Sequence, residues 1–321
     1  MGERRVSGPE VVDGDSHAES THGRELGGSH DEVSEQDGLG DLDGEALRVD
    51  TGPGEHIAYV TGQAIEQLSE FRQMILVGAT APVSFFGSPV HPSRLTPEDC
   101  TIVSLAAADE DCAGALDQLV AALDAQNARP QLEQHAPPRS PERGSILSAI
   151  PATVSALLPE NAIVVDESIT SGRGLMAATQ GAPPHDWLVN TGGSIGIGVP
   201  LAVGAAIACP GRPVLCFEGD GSLMYTVQGL WTAARESLPI TTVVFANRSY
   251  AILKFELAAL GGNPGPCAQA ALDIAPPAID FVALSKSLGV PACRANAPEE
   301  FCEALRRGFA SKAPNLIEIP L

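Results

Sequence analysis

Apolar residues along this chain come in two spacings. Short unbroken runs, Pro213-Val-Leu-Cys-Phe217 and Ile240-Thr-Thr-Val-Val-Phe-Ala246, read as strands buried on both faces. Elsewhere apolar positions recur every three to four residues, over 145–158, 195–209, 223–236, 281–288 and 299–309, which is the spacing of a helix face. Shorter strands are predicted at 162–165, 291–294 and 315–319. This alternation predicts an α/β domain over residues 144–321, with a parallel sheet and helices on both of its faces.

A smaller α/β pattern occupies residues 53–127. It has a helix-like stretch at 57–71, strands at 73–78 and 101–105, a loop at 81–87 and an amphipathic helix at 111–123. Residues 128–143 hold four prolines among charged residues and read as a linker. Residues 1–52 are acidic and poor in apolar side chains, so burial cannot offset the entropy of ordering them, and a disordered tail is expected. His17, His22 and His30 are irregularly spaced within that tail and read as solvated. No internal repeat is visible.

Chemistry concentrates at two predicted strand tips. One carries Glu218-Gly219-Asp220-Gly221-Ser222 and the other Asn247-Arg248-Ser249, with Asp220 and Asn247 27 positions apart (247 − 220), one strand–helix–strand unit. Open α/β sheets bind ligands at such carboxyl ends. A carboxylate, an amide oxygen and a nearby backbone carbonyl are hard ligands suited to magnesium, which fills its remaining positions with phosphate oxygens and water. Gly219 and Gly221 would let backbone N–H groups approach those phosphates. Read alone, Asp220 could instead be a helix cap and Asn247 an ordinary loop residue.

The formal net charge of −21 argues against nucleic acid or an anionic membrane as the main partner, though not against an anionic cofactor held by local N–H groups and a metal. The seven cysteines form no CxxC pair, which argues for reduced thiols rather than a disulfide or metal framework. The longest apolar stretch, 195–209, is short and broken by glycine and proline, and the N-terminus has no signal-peptide core. A soluble cytoplasmic protein with no membrane span is expected.

Together with Glu167-Ser-Ile-Thr-Ser171, Gly192-Gly-Ser-Ile-Gly-Ile-Gly-Val-Pro200 and Ala246-Asn-Arg-Ser-Tyr250, these motifs make the region from Gly144 to Leu321 resemble the C-terminal domain of a family of thiamine diphosphate-dependent enzymes. The group in question is that of the acetolactate synthase large subunit and benzoylformate decarboxylase. The resemblance implies magnesium on Asp220, Asn247 and the Ser249 carbonyl. It implies diphosphate contacts from Gly219, Gly221, Ser222, Ser168 and Thr170, with Asn247 beside them. The Gly193 carbonyl would accept from the cofactor's amino group, and Ile195 would wedge the thiamine into a bent shape. The Ser168 and Thr170 hydroxyls could equally cap their own turn, and Ile195 could be a core residue.

The glycine turn reads G-x-x-G-x-G rather than G-x-G-x-x-G, with no strand predicted directly before it, which argues against a dinucleotide site. Residues 250–256 would line the substrate side. The implied activity is decarboxylation or carboligation of a 2-keto acid. In that family the glutamate that activates the cofactor sits in a separate pyrimidine-binding domain, across a dimer interface. Nothing in this chain resembles it, and residues 53–127 resemble only the second half of the middle domain. The expected partners are a 2-keto acid and either a second copy in a homo-oligomer or a chain carrying the pyrimidine-binding domain. The alternative is a truncated, catalytically silent thiamine diphosphate-binding module.

Overall fold

The computed structural model describes residues 57–128, 145–262 and 265–321. All of them fall in one compact unit, Thr51–Leu321. The readings for residues 1–52, and for 128–143 beyond Ala128, lie outside the described residues.

The first part of this unit holds α1 (Thr61–Leu68), β1 (Gln73–Val77), β2 (Thr101–Ala106) and α2 (Cys112–Ala122). β1 and β2 pair in parallel as a two-stranded sheet. Its buried cluster is small, Ala64, Leu68 and Leu95. Asp111 caps α2 by accepting from the Gly114 N–H, yet α2 buries none of its side chains, and the apolar face that its sequence predicts stays exposed at Leu116 and Val120. The helix expected over 57–71 shortens to α1, since Val60 at its N-cap is extended.

The larger part runs α3 (Ile146–Leu157), β3 (Ile163–Glu167), α4 (Leu175–Thr179), β4 (Asp186–Val189), α5 (Gly198–Ala208), β5 (Val214–Gly219), α6 (Asp220–Thr226) and α7 (Gly229–Arg235). It continues with β6 (Ile240–Ala246), α8 (Ala251–Ala259), α9 (Pro266–Leu272), α10 (Phe281–Ser287), β7 (Ala292–Arg294), α11 (Pro298–Ala310) and β8 (Asn315–Pro320). The six strands form one sheet in the order β4-β3-β5-β6-β8-β7, with every pairing parallel. The inner strands point alternate residues to two separate cores. Ile163, Val165, Val214, Cys216, Ile240 and Val244 face one core with Val199 and Ala202 of α5. Val164, Leu215, Phe217, Val243 and Phe245 face the other with α3 and α11. On that second face Phe217 stacks against Phe245 at 6.0 Å and against Trp187 at 6.2 Å.

Three expectations are corrected. β4 was not predicted, because Asp186-Trp-Leu-Val189 is a four-residue edge strand with exposed ends, too short to show a period. It ends just ahead of Thr191–Gly193, so a strand does precede the glycine turn. The single helix expected over 223–236 is two helices, α6 and α7, separated at Val227 and Gln228, and α6 already begins at Asp220. The helix expected from Ile195 starts at Gly198 instead, leaving Ile195 in the turn and 38% exposed.

Phe217 is fully buried and joins the aromatic row on the α3/α11 face. Phe217→Ala should lower the unfolding free energy by roughly 3–5 kcal/mol, read from a denaturant titration followed by circular dichroism.

Candidate functional site

β5 and β6 are register neighbours, with Gly219 opposite Phe245. The residues just beyond their tips therefore meet. Asp220 is the first residue of α6 and is 2% exposed. Its Oδ1 accepts from the Gly221 N–H at 2.9 Å and its Oδ2 from the Arg248 N–H at 2.5 Å. The second bond ties the loop after β6 to the turn after β5. Asn247 Oδ1 accepts from the Ser249 N–H at 2.9 Å, and the Ser249 hydroxyl donates away from the turn, to the Leu272 carbonyl.

Burial pushes the Asp220 carboxyl above its usual range, and the Arg248 and Gly221 N–H groups pull it partly back. Among the described residues it forms no ion pair. A carboxylate offers about four acceptor sites, so two N–H bonds leave room for a hard cation. The donor set fits magnesium in that respect. Among the described residues no three His, Cys, Asp or Glu side chains cluster as a metal cage, so a cation here would need oxygens from a ligand.

The glycines at this tip differ in their reasons. A Cβ on Gly221 would lie 2.8 Å from the Tyr250 ring, so Tyr250 packing demands glycine there. Gly219 has ordinary extended angles, and a Cβ would meet nothing nearer than 3.5 Å. Neither strain nor crowding within the chain requires glycine at position 219.

The second group of residues is built on β3, β4 and the glycine turn. After β4 the chain passes through left-handed Gly192 (φ 63) and Gly193 (φ 68), a conformation that strongly favours glycine. The Phe85 ring lies against Gly193, where a Cβ would be 2.6 Å from it. The turn is anchored from below by Glu167, whose Oε1 accepts from the Gly196 N–H and whose Oε2 accepts from the Gly198 N–H, each at 2.5 Å.

Glu167 is the register partner of Glu218 on β5, and each is 1% exposed. Glu218 Oε1 accepts from the Cys216 thiol at 3.6 Å, while Oε2 has no hydrogen-bond partner among the described residues. Gly198 closes over both: a Cβ there would lie 2.1 Å from Glu218 Oε1 and 2.9 Å from Glu167 Oε2. Burial raises both carboxyls. The negative charge of Glu167 adds to the rise at Glu218, while the α5 N–H groups oppose it at Glu167. Sequence reading had placed both glutamates among the diphosphate motifs and missed this anchoring, because the partners lie 29 and 31 residues away.

A cleft of about 570 Å³ opens beside this turn. It brings together Ser168, Gly193 and Ile195 with Ile252, Leu253 and Glu256. Tyr59, Phe85 and Phe86 also line it. The phenylalanine pair is a signal that was available, since adjacent large apolar residues stand out in a loop. Burial, and the neighbouring carboxylate of Glu256, push the Tyr59 hydroxyl up to about 12. The Ser168 hydroxyl and N–H both donate to Asp166 Oδ1, the local turn capping that was the alternative for this residue. Thr170 is not in the cleft wall, and neither are Gly219, Asp220, Gly221, Ser222, Asn247 or Ser249. Apart from Thr170, which sits in the loop after β3 outside the cleft wall, the expected site residues fall into two groups, one in the cleft and one at the β5 and β6 tips, joined by the register of β3 with β5.

A parallel sheet with ligand-type groups at its carboxyl ends defines a cofactor-binding α/β domain. Residues 171–319 match the thiamine pyrophosphate enzyme C-terminal TPP-binding domain. The chain is 48% identical over 278 residues to the acetolactate synthase large-subunit homologue IlvX of Mycobacterium tuberculosis, covering 83% of this chain and 52% of that one. It is 33% identical over 186 residues to a benzoylformate decarboxylase of Pseudomonas aeruginosa, covering 57% of this chain and 34% of that one. The fold is shared with a Rhodococcus jostii thiamine diphosphate-dependent 4-hydroxybenzoylformate decarboxylase, with a TM-score of 0.64 at 24% identity over 82% of this chain and 51% of that one. Residues 171–319 thus carry the C-terminal domain of thiamine diphosphate-dependent enzymes, and the chain is similar to the acetolactate synthase- and benzoylformate decarboxylase-like members of that family. It spans about half the length of the first of these relatives.

The buried pair makes stability depend on pH. Glu218 titrates in the fold well above its ordinary 4.5, so folding takes up a proton between the two values. The stability contributed is complete below the unfolded value and is lost as pH rises through the folded one. Glu218→Gln, metal-free, should flatten the fall in melting temperature from about pH 5 to about pH 8 and melt higher than the parent at the upper end. A pH slope equal to the parent's would contradict this assignment.

Proposed function

We propose that this chain is the diphosphate-binding part of a thiamine diphosphate- and magnesium-dependent decarboxylase or carboligase of 2-keto acids. The observation that carries the proposal is Asp220: a buried carboxylate that forms no ion pair among the described residues, at the tip of an inner strand, tied through the Arg248 N–H to the loop bearing Asn247. Asp220, Asn247 and the Ser249 carbonyl would hold magnesium against the diphosphate. The N–H groups of Gly221 and Ser222, beside Gly219, and the Ser168 and Thr170 hydroxyls would contact the phosphate oxygens. The Gly193 carbonyl and the Ile195 side chain would orient the thiamine half. When bound, the cofactor supplies an electron sink for cleaving the bond between the carboxylate and the keto carbon. Phe85, Phe86, Ile252 and Leu253 would give the reacting end of the cleft an apolar wall.

We place the activating glutamate of the family on a pyrimidine-binding domain contributed by a separate polypeptide. A cytoplasmic setting accords with the free state of all seven cysteines. Among the described residues no helix is long and apolar enough to cross a membrane.

Two outcomes are expected. At 100 times its dissociation constant, a ligand specific for the native state stabilises it by about 2.7 kcal/mol. Thiamine diphosphate with magnesium should therefore raise the melting temperature, and EDTA should cancel the rise. Asp220→Asn should cancel it too without lowering the ligand-free melt. A shift that survives EDTA would remove magnesium from the proposal.

The second outcome concerns turnover. A positioned proton-transfer group contributes about 10²- to 10⁴-fold. Carbon dioxide release from 2-keto acids by the purified chain should be slow by about that factor. It should rise when a separately expressed pyrimidine-binding domain is added, and fall again with Asn247→Ala. No rescue by any such domain would favour the catalytically silent module.

A further inference from the structure

The cleft beside Gly193 and Ile195 has mostly apolar walls and three charged side chains, Asp166, Arg173 and Glu256. Two of the three are already engaged. Asp166 accepts from the Ser168 N–H and hydroxyl, and the Glu256 carboxylate stands near the Tyr59 hydroxyl and opposes its ionisation. Arg173 is the one cation in the wall, and among the described residues it forms no ion pair. Its guanidinium carbon lies 5.0 Å from the centroid of the Phe255 ring. Such stacking holds the plane of the fork while leaving its N–H donors free for a planar anion.

The backbone around Arg173 is held as well. A Cβ on Gly172 would fall 1.7 Å from Ser168 Oγ, so this stretch packs directly on the loop after β3. Gly174 follows in the left-handed region at φ 86 and opens α4. In a chain with 40 acidic and 19 basic residues, an arginine left without a carboxylate at a cleft has room for an anion from outside.

We infer that Arg173 reads the carboxylate of the 2-keto acid in this cleft, and that the apolar wall of Phe85, Phe86, Ile252 and Leu253 selects substrates with a branched or aromatic side group. This rests on the function proposed above. A diphosphate is the other anion a guanidinium could take, but of the residues assigned to it above Ser168 alone lines the cleft, with its hydroxyl donated to Asp166, while Asp220, Ser222 and Asn247 lie outside the cleft wall.

The test uses the full chain without cofactor. Trp187 lines the cleft, and Trp231, the other of the two tryptophans, is 50% exposed elsewhere. Trp231→Phe leaves Trp187 as a single fluorescent reporter. Titration with 4-methyl-2-oxopentanoate should give a saturable change, and 4-methyl-2-pentanone, which lacks the carboxylate, should bind about tenfold more weakly or less. Arg173→Met should weaken the keto acid by about the same factor, and Arg173→Lys should restore part of it. The melting shift with thiamine diphosphate and magnesium should be equal in Arg173→Met and the parent. Three results overturn the inference: no Trp187 response to the keto acid, unchanged affinity in Arg173→Met, or a matching loss of inorganic pyrophosphate binding in that variant. Absence of the thiamine diphosphate shift in every chain, with the Arg173 effects intact, would instead sink the cofactor reading alone.

Discussion

Two buried carboxyls stand side by side on adjacent strands, and the N-terminus of one helix makes that arrangement tolerable. Glu167 and Glu218 are register partners, each 1% exposed and pointing to the α5 face. Like charges directly opposite one another destabilise a sheet, and burial adds a desolvation cost. α5 lacks a capping side chain of its own, so its first N–H groups need acceptors. Glu167 supplies them at Gly196 and Gly198, and the partial positive charge of the helix end offsets its own charge. Each partner answers the other's deficit.

That exchange fixes the geometry of everything above it. With the end of β3 bonded to the foot of the glycine turn, Gly193 and Ile195 have a set height above the sheet. The same register that places Glu167 beside Glu218 places Asp220 two residues on, just past the end of β5 at the start of α6. The cleft and the strand-tip cluster are therefore held apart by the strand ladder rather than by flexible loops, as a ligand with a flat organic half and a diphosphate half would need. Gly198 admits no side chain because both carboxylates fill the space where one would go.

The inner strands were legible in the sequence because burial on both faces writes an unbroken apolar run, as at 214–217 and 240–246. β4 was not, because a four-residue edge strand writes no run and no alternation. The meeting of the Asp220 and Asn247 loops was legible because their spacing follows from one strand–helix–strand unit, and the Arg248 N–H bond to Asp220 joins those loops in the structure. The split between α6 and α7 was hidden by a helical period that continues through Val227 and Gln228. The work of Glu167 was hidden for a different reason. A side-chain acceptor and backbone donors about thirty residues apart leave no local pattern, since the donors are N–H groups that almost every residue has.

The small part around β1 and β2 follows from the same constraint. Parallel sheets are normally covered on both faces, and two strands alone are marginal in water. Here Ile75 and Val103 stay exposed and α2 buries nothing, so this sheet supplies little of its own stability. Its anchorage to the cleft lies elsewhere, in Phe85 against Gly193 and in the Tyr59 hydroxyl near Glu256. Both anchors are cleft residues. The apolar wall at Phe85 and Phe86 is consequently only as well placed as Gly193, and Gly193 is placed by the turn that Glu167 holds. A change at Glu167 would therefore act on the cleft twice, once through Ile195 beside the turn and once through the aromatic wall that rests on it.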